Sequence, residues 1–334
     1  EVASGQPRFE DGKFGKGVLI EEGTTNLVSN PDFEGGTDGW ILSTAAARSN
    51  ADSYIGSYSL ALTNPAWPQE STYNITGIAP STAYTFSVYV KSSLSSIRIN
   101  VVDCNGTTRL NSDERSVYIH SAENNNTWKR YTLTWTTAAN ADGVQIRIIC
   151  GESGNSGVAY LDGVQLEQKP YATSFTSGTR SSETLTIPTA GVFERGNWTI
   201  ALTHQPTSSM TVGNKGKILW QCFIDANNYY QLLIGWVGEV ILQVCSGGTL
   251  KQLVGYADSQ AIGVNNHYVI TGDGTTITLT VNGVQQATST YVEPVGTLPT
   301  NMYIGSDYNG YSHCNGVIDE LRIDKIARTD EEIA

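Results

Sequence analysis

Apolar and polar residues alternate along most of this chain with the period of two that is typical of strands with one buried face. In the first half, this alternation and short apolar runs predict strands at 57–63, 71–75, 83–91, 97–103, 115–120, 129–136, 143–150 and 158–166. In the second half they predict strands at 197–205, 216–224, 229–235, 239–244, 267–271, 276–282 and 284–290. Helical periodicity is confined to one turn in the tail, 327–333, which Thr329 could cap. The pattern therefore predicts an all-β protein.

The signals between these strands are those of turns. Asn282-Gly283 is the strongest hairpin signal, because both central positions of a type I′ turn require positive φ. Short strands at such regular spacing are typical of a sandwich or a jelly roll. A length of 334 residues suggests about two domains. The Ser/Thr/Gly-rich stretch 169–184 is predicted to link them.

The charge of the chain excludes some classes of partner. Lys and Arg number 20 against 32 Asp and Glu, a formal net charge of −12. Such a balance offers no basic surface for nucleic acid or for an anionic membrane. The apolar runs have strand length, short of the roughly 20 residues that span a bilayer, so membrane insertion is not expected. We predict that the five cysteines are mostly small buried apolar residues; a bridge between Cys104 and Cys150 is the alternative.

Two segments carry a resemblance to a known family. The run NLVSNPDFE at 26–34, followed by Gly39-Trp40, and the run VAYLDGVQLE at 158–167 resemble the first and last strands of a family 4/9-type carbohydrate-binding module. Segments 84–90 and 126–131 lie where that family has core strands. The resemblance implies a jelly roll that binds glycans and holds a structural calcium ion through Glu34 and Asp162.

The remainder resembles a different sandwich. The runs NWTIA at 197–201, TITLTVNG at 276–283 and GVIDELRI at 316–323 are similar to those of laminin-G-like, or concanavalin A-like, lectin domains. That family starts with a segment like 12–20 and continues within a few residues into one like 183–188. Here the jelly-roll segment intervenes. We therefore hypothesise two β-sandwiches, with the jelly roll of residues 25–170 inserted into a discontinuous lectin-like domain, residues 1–24 and 177–334.

The phrases that join the two segments point to a source. Residues 21–27 and 171–180 resemble phrases that recur in phage tail and other virion proteins. The expected location is a virion, or the extracellular or cell-surface space.

Candidate calcium ligands follow from the chemistry of oxygen donors. Glu34 lies near the first strand and Asp162 on the last, where a jelly roll could bring them together, and carboxylate oxygens suit calcium. The alternative is that both carboxylates bond to backbone amides. Asp319 is a similar candidate in the lectin-like part, with a turn-stabilising role as its alternative.

Candidate sugar-binding residues are aromatic, because aromatic faces stack on the apolar faces of pyranose rings. In the jelly roll these are Trp67, in a loop between two prolines, and Tyr58 and Tyr73, with Tyr54 as a further companion. In the lectin-like part they are Trp236 at a hairpin tip and Tyr308 and Tyr311 in one loop. For each, the alternative is a packed core aromatic, which is what we expect of Trp40, Trp128 and Trp135.

Catalysis has the weakest support. A glycosidase needs two carboxylates across the cleaved bond. The only close acidic pair in the strands, Asp319-Glu320, is predicted to point to opposite faces of its strand. We therefore predict a non-catalytic component for glycan recognition or adhesion, on a phage virion or a bacterial surface protein, whose partner is a polysaccharide. A structural or assembly module that binds other virion proteins is the alternative, and a polysaccharide-degrading enzyme comes third.

Overall fold

The computed structural model describes residues 7–63, 69–110, 115–150, 157–209, 216–257 and 260–333, which are almost entirely β-structure. The first strands are β1 Arg8–Gly12, β2 Gly15–Ile20, β3 Thr24–Thr25, β4 Trp40–Ile41, β5 Ala46–Ser49, β6 Ser59–Thr63, β7 Gln69–Thr76, β8 Ala83–Ser92, β9 Ser96–Asn105, β10 Thr108–Arg109, β11 Arg115–His120, β12 Lys129–Thr136 and β13 Gly143–Cys150. They continue as β14 Val158–Glu167, β15 Thr179–Arg180, β16 Leu185–Pro188, β17 Asn197–Pro206, β18 Lys217–Asp225, β19 Asn228–Ile234, β20 Glu239–Ser246, β21 Thr249–Tyr256, β22 Asn266–Asp273, β23 Thr276–Val281, β24 Val284–Thr290, β25 Asn301–Ile304 and β26 Gly316–Asp324. Two short helices are α1 Ser121–Asn124 and α2 Asp330–Ile333. None of the helices in these ranges is long and apolar enough to cross a membrane.

The chain divides into two compact units. One comprises Thr24–Arg180, here called the jelly-roll unit, and the other comprises Glu1–Gly23 with Ser181–Ala334, here called the lectin-like unit. Each unit contains its own main apolar core.

The jelly-roll unit is a sandwich of two antiparallel sheets. One sheet has the order β12-β8-β14-β6-β5, and the other has the order β10-β9-β13-β7-β4, with β11 also paired to β9. Alternate residues of both sheets point inward, so that Val88 and Val90 of β8 share one core with Ile97 and Ile99 of β9. The opposite faces of β8 and β9 carry mainly polar residues, such as Ser87, Lys91 and Asn100.

A buried polar network closes the jelly-roll unit. The Glu167 carboxylate, which is fully buried, accepts hydrogen bonds from the hydroxyls of Thr24 and Thr173 and from the Gln165 amide, at 2.7–2.8 Å. The Thr173 N–H donates to the same carboxylate. Thr176 is also buried. This part of the predicted linker 169–184 is therefore folded against the unit, because its Ser and Thr side chains satisfy buried polar groups rather than solvating a free segment.

The lectin-like unit is a second sandwich. Its sheets have the orders β1-β2-β26-β17-β22-β23-β24 and β16-β25-β18-β19-β20-β21. Strand β2 pairs with β26, with Val18 opposite Ile318, so that residues near the start of the chain complete a sheet made from its end. The core between the sheets includes a cluster of aromatic rings: Phe193, Trp198, Trp220 and Tyr230.

The sequence located most strands well. Predicted strands 129–136, 143–150 and 284–290 match β12, β13 and β24 at both ends. Asn282 and Gly283 have φ of 50° and 76°, which confirms the predicted hairpin turn. The tail turn is also confirmed, with the Thr329 N–H donating to Glu332 Oε2. The elements that were not predicted include strands β1, β5, β21 and β25 and helix α1.

All five cysteines are buried and free, as the sequence predicted. The alternative bridge between Cys104 and Cys150 is wrong, because the antiparallel register places Cys104 opposite Gly143 and Cys150 opposite Ile97. The two thiols therefore lie at opposite ends of the β9-β13 pair, whereas a disulfide needs Cα atoms within about 7 Å.

Candidate functional site

Two carboxylates fix a loop of residues 53–58 in the jelly-roll unit, here called the Tyr54 loop. Asp162 Oδ2 accepts the backbone N–H groups of Tyr54 and Ile55, at 2.8 and 2.7 Å. At the other end of the loop, Glu34 Oε1 accepts the N–H groups of Ser57 and Tyr58, both at 2.7 Å. The loop is therefore held at both ends before any ligand arrives.

These bonds bear on the calcium ion that the resemblance implies. Asp162 Oδ1 accepts the Gly163 N–H, so both of its oxygens already have backbone donors. Burial raises the pKa of Asp162 to about 6, against the ordinary value of 3.8. Across the described ranges, no three His, Cys, Asp or Glu side chains come together as a metal site would require. Since calcium takes six to eight oxygen ligands, the residues as arranged do not fit the ion.

Asp319 is placed in the same way. Its Oδ2 accepts the Phe14 N–H at 3.0 Å, and its Oδ1 accepts the Glu320 N–H at 2.8 Å. This is the turn-stabilising arrangement that stood as the alternative to metal binding.

The Tyr54 loop presents an aromatic surface. The Tyr54 ring, 50% exposed, stacks on the ring of Tyr89 with centroids 3.9 Å apart and planes 19° apart. Trp128 lies beside it at 5.9 Å. The alternation predicts that Trp128 belongs to the core, but the residue is only partly buried. We call Tyr54, Tyr89 and Trp128 the aromatic platform.

Polar side chains surround the aromatic platform. Asp52 accepts hydrogen bonds from Trp128 Nε1 at 3.1 Å and from Lys91 Nζ at 2.6 Å. The Lys91 hydrogen bond holds the pKa of Asp52 below its ordinary value, so Asp52 is ionised at neutral pH. The Arg130 guanidinium lies 5.4 Å from the centre of the Tyr89 ring. The platform therefore combines ring faces with hydrogen-bond donors and an acceptor.

The other jelly-roll aromatics predicted from the sequence lie elsewhere. Tyr73 is 6% exposed, packs against Trp40, and accepts the Ser29 N–H with its hydroxyl, so its ring offers no face to a ligand. The Arg48 guanidinium lies 3.2 Å above the centre of the Tyr58 ring and covers that face. Trp67 lies outside the described residues. The sequence missed the role of Tyr89, whose only signal was an aromatic at an outward position of a strand.

In the lectin-like unit, the predicted aromatics are exposed. Trp236, between β19 and β20, is 61% exposed, and Tyr311 is 67% exposed. Tyr308 stacks on Phe223 with ring centres 3.7 Å apart and planes 2° apart.

A row of glutamines crosses the sheet beside Tyr308. The glutamines are opposite one another on β18, β19, β20 and β21: Gln221, Gln231, Gln243 and Gln252. Each side-chain amide donates to the next along the row, at 2.8, 2.5 and 3.0 Å. The Tyr308 N–H donates to Gln221 Oε1 at 2.8 Å, which ties the loop to the row. Only strand pairing brings these residues together, and the sequence analysis did not find them.

The prediction that Asp319 and Glu320 point to opposite faces of their strand is wrong. Ile318 and Leu321 both pack on the core, although they are three residues apart. The register between β17 and β26 shifts here, because a β-bulge adds a residue. Asp319 and Glu320 both lie outside the core as a result.

Comparison with known proteins agrees with this architecture. The family model described as a carbohydrate binding domain matches residues 25–157, and that of the concanavalin A-like lectin/glucanases superfamily matches residues 177–334. No curated protein matches the sequence.

Several solved structures match parts of the chain at low identity. Domain 4 of AbnA, a GH43 extracellular arabinanase from Geobacillus stearothermophilus in complex with arabinotriose, is 20% identical, with a TM-score of 0.37 over 49% of this chain and 78% of that chain. TmCBM61 in complex with β-1,4-galactotriose is 19% identical, with a TM-score of 0.35 over 43% of this chain and 99% of that one. The CBM40 of the Ruminococcus gnavus IT-sialidase is 18% identical, with a TM-score of 0.34 over 41% and 80%. By these two family models, the chain combines a segment similar to family 4/9 carbohydrate-binding modules with a segment similar to concanavalin A-like lectins.

Proposed function

We propose that this protein is a non-catalytic glycan-recognition component of a phage virion or a bacterial surface protein, and that it contacts polysaccharide through the aromatic platform. The observation that carries the proposal is the half-exposed Tyr54 ring, stacked on Tyr89. The matching family models, a carbohydrate binding domain and the concanavalin A-like lectin/glucanases superfamily, support a carbohydrate as the ligand.

The platform supplies what sugar recognition requires. Ring faces stack on the apolar C–H faces of a pyranose, while the Asp52 carboxylate can accept and the Lys91 and Arg130 side chains can donate to its hydroxyls. Because Asp162 and Glu34 already hold the Tyr54 loop, binding does not have to order it.

The source and location are proposed on the sequence alone. The joining phrases 21–27 and 171–180 resemble those of virion proteins, which supports a virion or extracellular surface. On a virion, other virion proteins would be further partners.

The test is retention of the whole chain on immobilised polysaccharides and host cell walls. Tyr54→Ala should weaken retention about tenfold or more, equivalent to about 1.4 kcal/mol. The matched control is Tyr118→Ala, since Tyr118 is 53% exposed in the same unit but lies on β11, stacked with His120. The control should bind like the wild type.

Other outcomes would contradict the proposal. If the chain is retained on nothing and self-associates in solution, the structural alternative gains support. Release of reducing sugar from a retained polysaccharide would instead favour an enzyme. Equal retention of both tyrosine variants would remove the platform from the binding surface.

A further inference from the structure

A groove runs along strand β17 on the outer face of the seven-stranded sheet of the lectin-like unit. The outward residues of β17 are small, namely Thr199, Ala201 and Thr203, while the strands on either side carry longer side chains. Because the side chains of β17 are shorter than those of the strands on either side, they leave a groove along the strand. The groove has a volume of about 680 Å³, within the range of small-ligand sites.

The walls come from four parts of the unit. Strand β26 contributes Glu320, Arg322 and Asp324, and β22 contributes His267 and Val269. The β1-β2 hairpin, with the 61% exposed ring of Phe14, and the tail, with Arg328, complete the lining.

Two buried polar atoms of residues that line the groove have no hydrogen-bond partner in the described part of the chain. The Thr203 side chain is 1% exposed, and its hydroxyl has no hydrogen-bond partner among the residues that the structure describes. Asn265, which is partly buried, also lines the groove, and its side-chain oxygen likewise has no hydrogen-bond partner among the described residues. Buried polar atoms are nearly always hydrogen-bonded, because a buried donor or acceptor without a partner is destabilising. These atoms therefore point to a bound molecule that can hydrogen-bond.

The charges of the groove largely cancel. Asp324 pairs with Arg322 at 2.8 Å and also with Arg328. Arg328 lies 3.9 Å from Glu332. Burial lowers the pKa of His267, so its ring is neutral at pH 7. The lining therefore suits a molecule without strong charge.

Glu320 is held in the groove at a cost. It is the extra residue of the β26 bulge, and its φ of 51° is unusual for a residue other than glycine. Such strain is concentrated at functional sites. This conformation places Glu320 in the lining of the groove, where its carboxylate is able to accept hydrogen bonds.

We propose that this groove binds a neutral oligosaccharide as a second glycan site, separate from the aromatic platform; the inference rests on the proposed function. Sugar hydroxyls donate to Asn265 Oδ1 and to the Glu320 carboxylate and exchange a hydrogen bond with Thr203. The apolar face of a sugar ring packs on Ala201 and Val269. The chain would then hold polysaccharide at two sites, one in each unit.

The experiment uses the whole chain and the polysaccharide that retains it best. The first variant is Tyr54→Ala, which removes the platform and leaves the groove. In the Tyr54→Ala background, a second substitution should lower the remaining retention about tenfold. The second substitution is either Thr203→Val, which keeps the side-chain shape but lacks the hydroxyl, or Glu320→Gln. Glu10→Gln on β1, an exposed carboxylate outside the groove, is the matched control and should have no effect.

The outcomes separate the two proposals. If the wild type binds no glycan, the proposed function fails together with the groove. If Tyr54→Ala alone abolishes retention, the platform stands and the groove proposal is overturned. If retention survives in Tyr54→Ala but Thr203→Val and Glu320→Gln leave it unchanged, the groove proposal is also overturned. Circular dichroism of each variant shows whether a loss reflects unfolding.

Discussion

Replacing Asn26 by alanine should strongly destabilise the jelly-roll unit. Its side-chain nitrogen donates to the carbonyls of Val164 and Thr176, at 2.9 and 3.0 Å. Its side-chain oxygen accepts the N–H groups of Val28 and Leu166, both at 3.1 Å. One carboxamide, 7% exposed, thus joins the first segment, the last strand and the closing segment of the unit.

The magnitude follows from these four bonds. Each is worth about 1 kcal/mol net, so their loss costs about 4 kcal/mol. The backbone groups left without partners raise the cost, and water that enters the space lowers it. Since a domain is stable by about 5–15 kcal/mol, the change removes a large part of the stability of the unit.

Hydrogen exchange of the whole chain, read by mass spectrometry, measures the effect separately in each unit. Amides within 24–180 that exchange by global unfolding of the unit should exchange about 10³-fold faster, the equivalent of about 4 kcal/mol, while those within 181–334 stay unchanged. Asn74→Ala is the matched control: Asn74 is exposed and accepts one bond, from Gln145. We expect it to cost under about 0.5 kcal/mol. An Asn26→Ala effect below about 1 kcal/mol would refute the reasoning.

Three further predictions concern titration and metal. Because the folded pKa of Asp162, about 6, exceeds its ordinary 3.8, its contribution to stability is complete below about pH 4 and is lost as pH rises through 6; an NMR titration midpoint below pH 4 would contradict this. Burial depresses the pKa of His204 from 6.5 to about 4, so its contribution is complete above pH 6.5 and is lost as pH falls through 4. His204→Leu should reduce the fall in melting temperature between pH 6.5 and pH 4, and an unchanged fall would mean that another group causes it. Chelation should leave the melting temperature unchanged, because Glu34 and Asp162 accept hydrogen bonds from backbone amides. A fall of several degrees would contradict this and support a structural calcium ion.

The strands were predictable because their signal is local. In β12 and β13, alternation of apolar and polar residues over eight positions gives the element, its ends and its buried face. Strand β21 was not predicted because its alternation is weak: Leu253 is buried, but the exposed residues around it are both polar and apolar. The bulge at Glu320 escaped because one extra residue reverses the rule that neighbours point to opposite faces.

The site was less predictable than the strands. Exposed aromatics such as Trp236 and Tyr311 could be proposed from loop position alone. The stack of Tyr54 on Tyr89 could not, since it depends on how a loop lies across a strand that is distant in the sequence. Tyr73 showed the opposite error, because the same residue type can equally serve the core.

By itself, the sequence determined the all-β class, the two sandwich types and the bounds of most strands, because these depend on residue pattern within a few positions. Only the tertiary structure decided which strands pair, such as β2 with β26, and which polar groups meet. Glu34 and Asp162 hold a loop through its backbone N–H groups rather than a shared calcium ion. The Thr203 hydroxyl lines a groove and has no hydrogen-bond partner among the described residues. The physical reason is that hydrogen-bond satisfaction is a property of groups brought together over long separations, which no local pattern encodes.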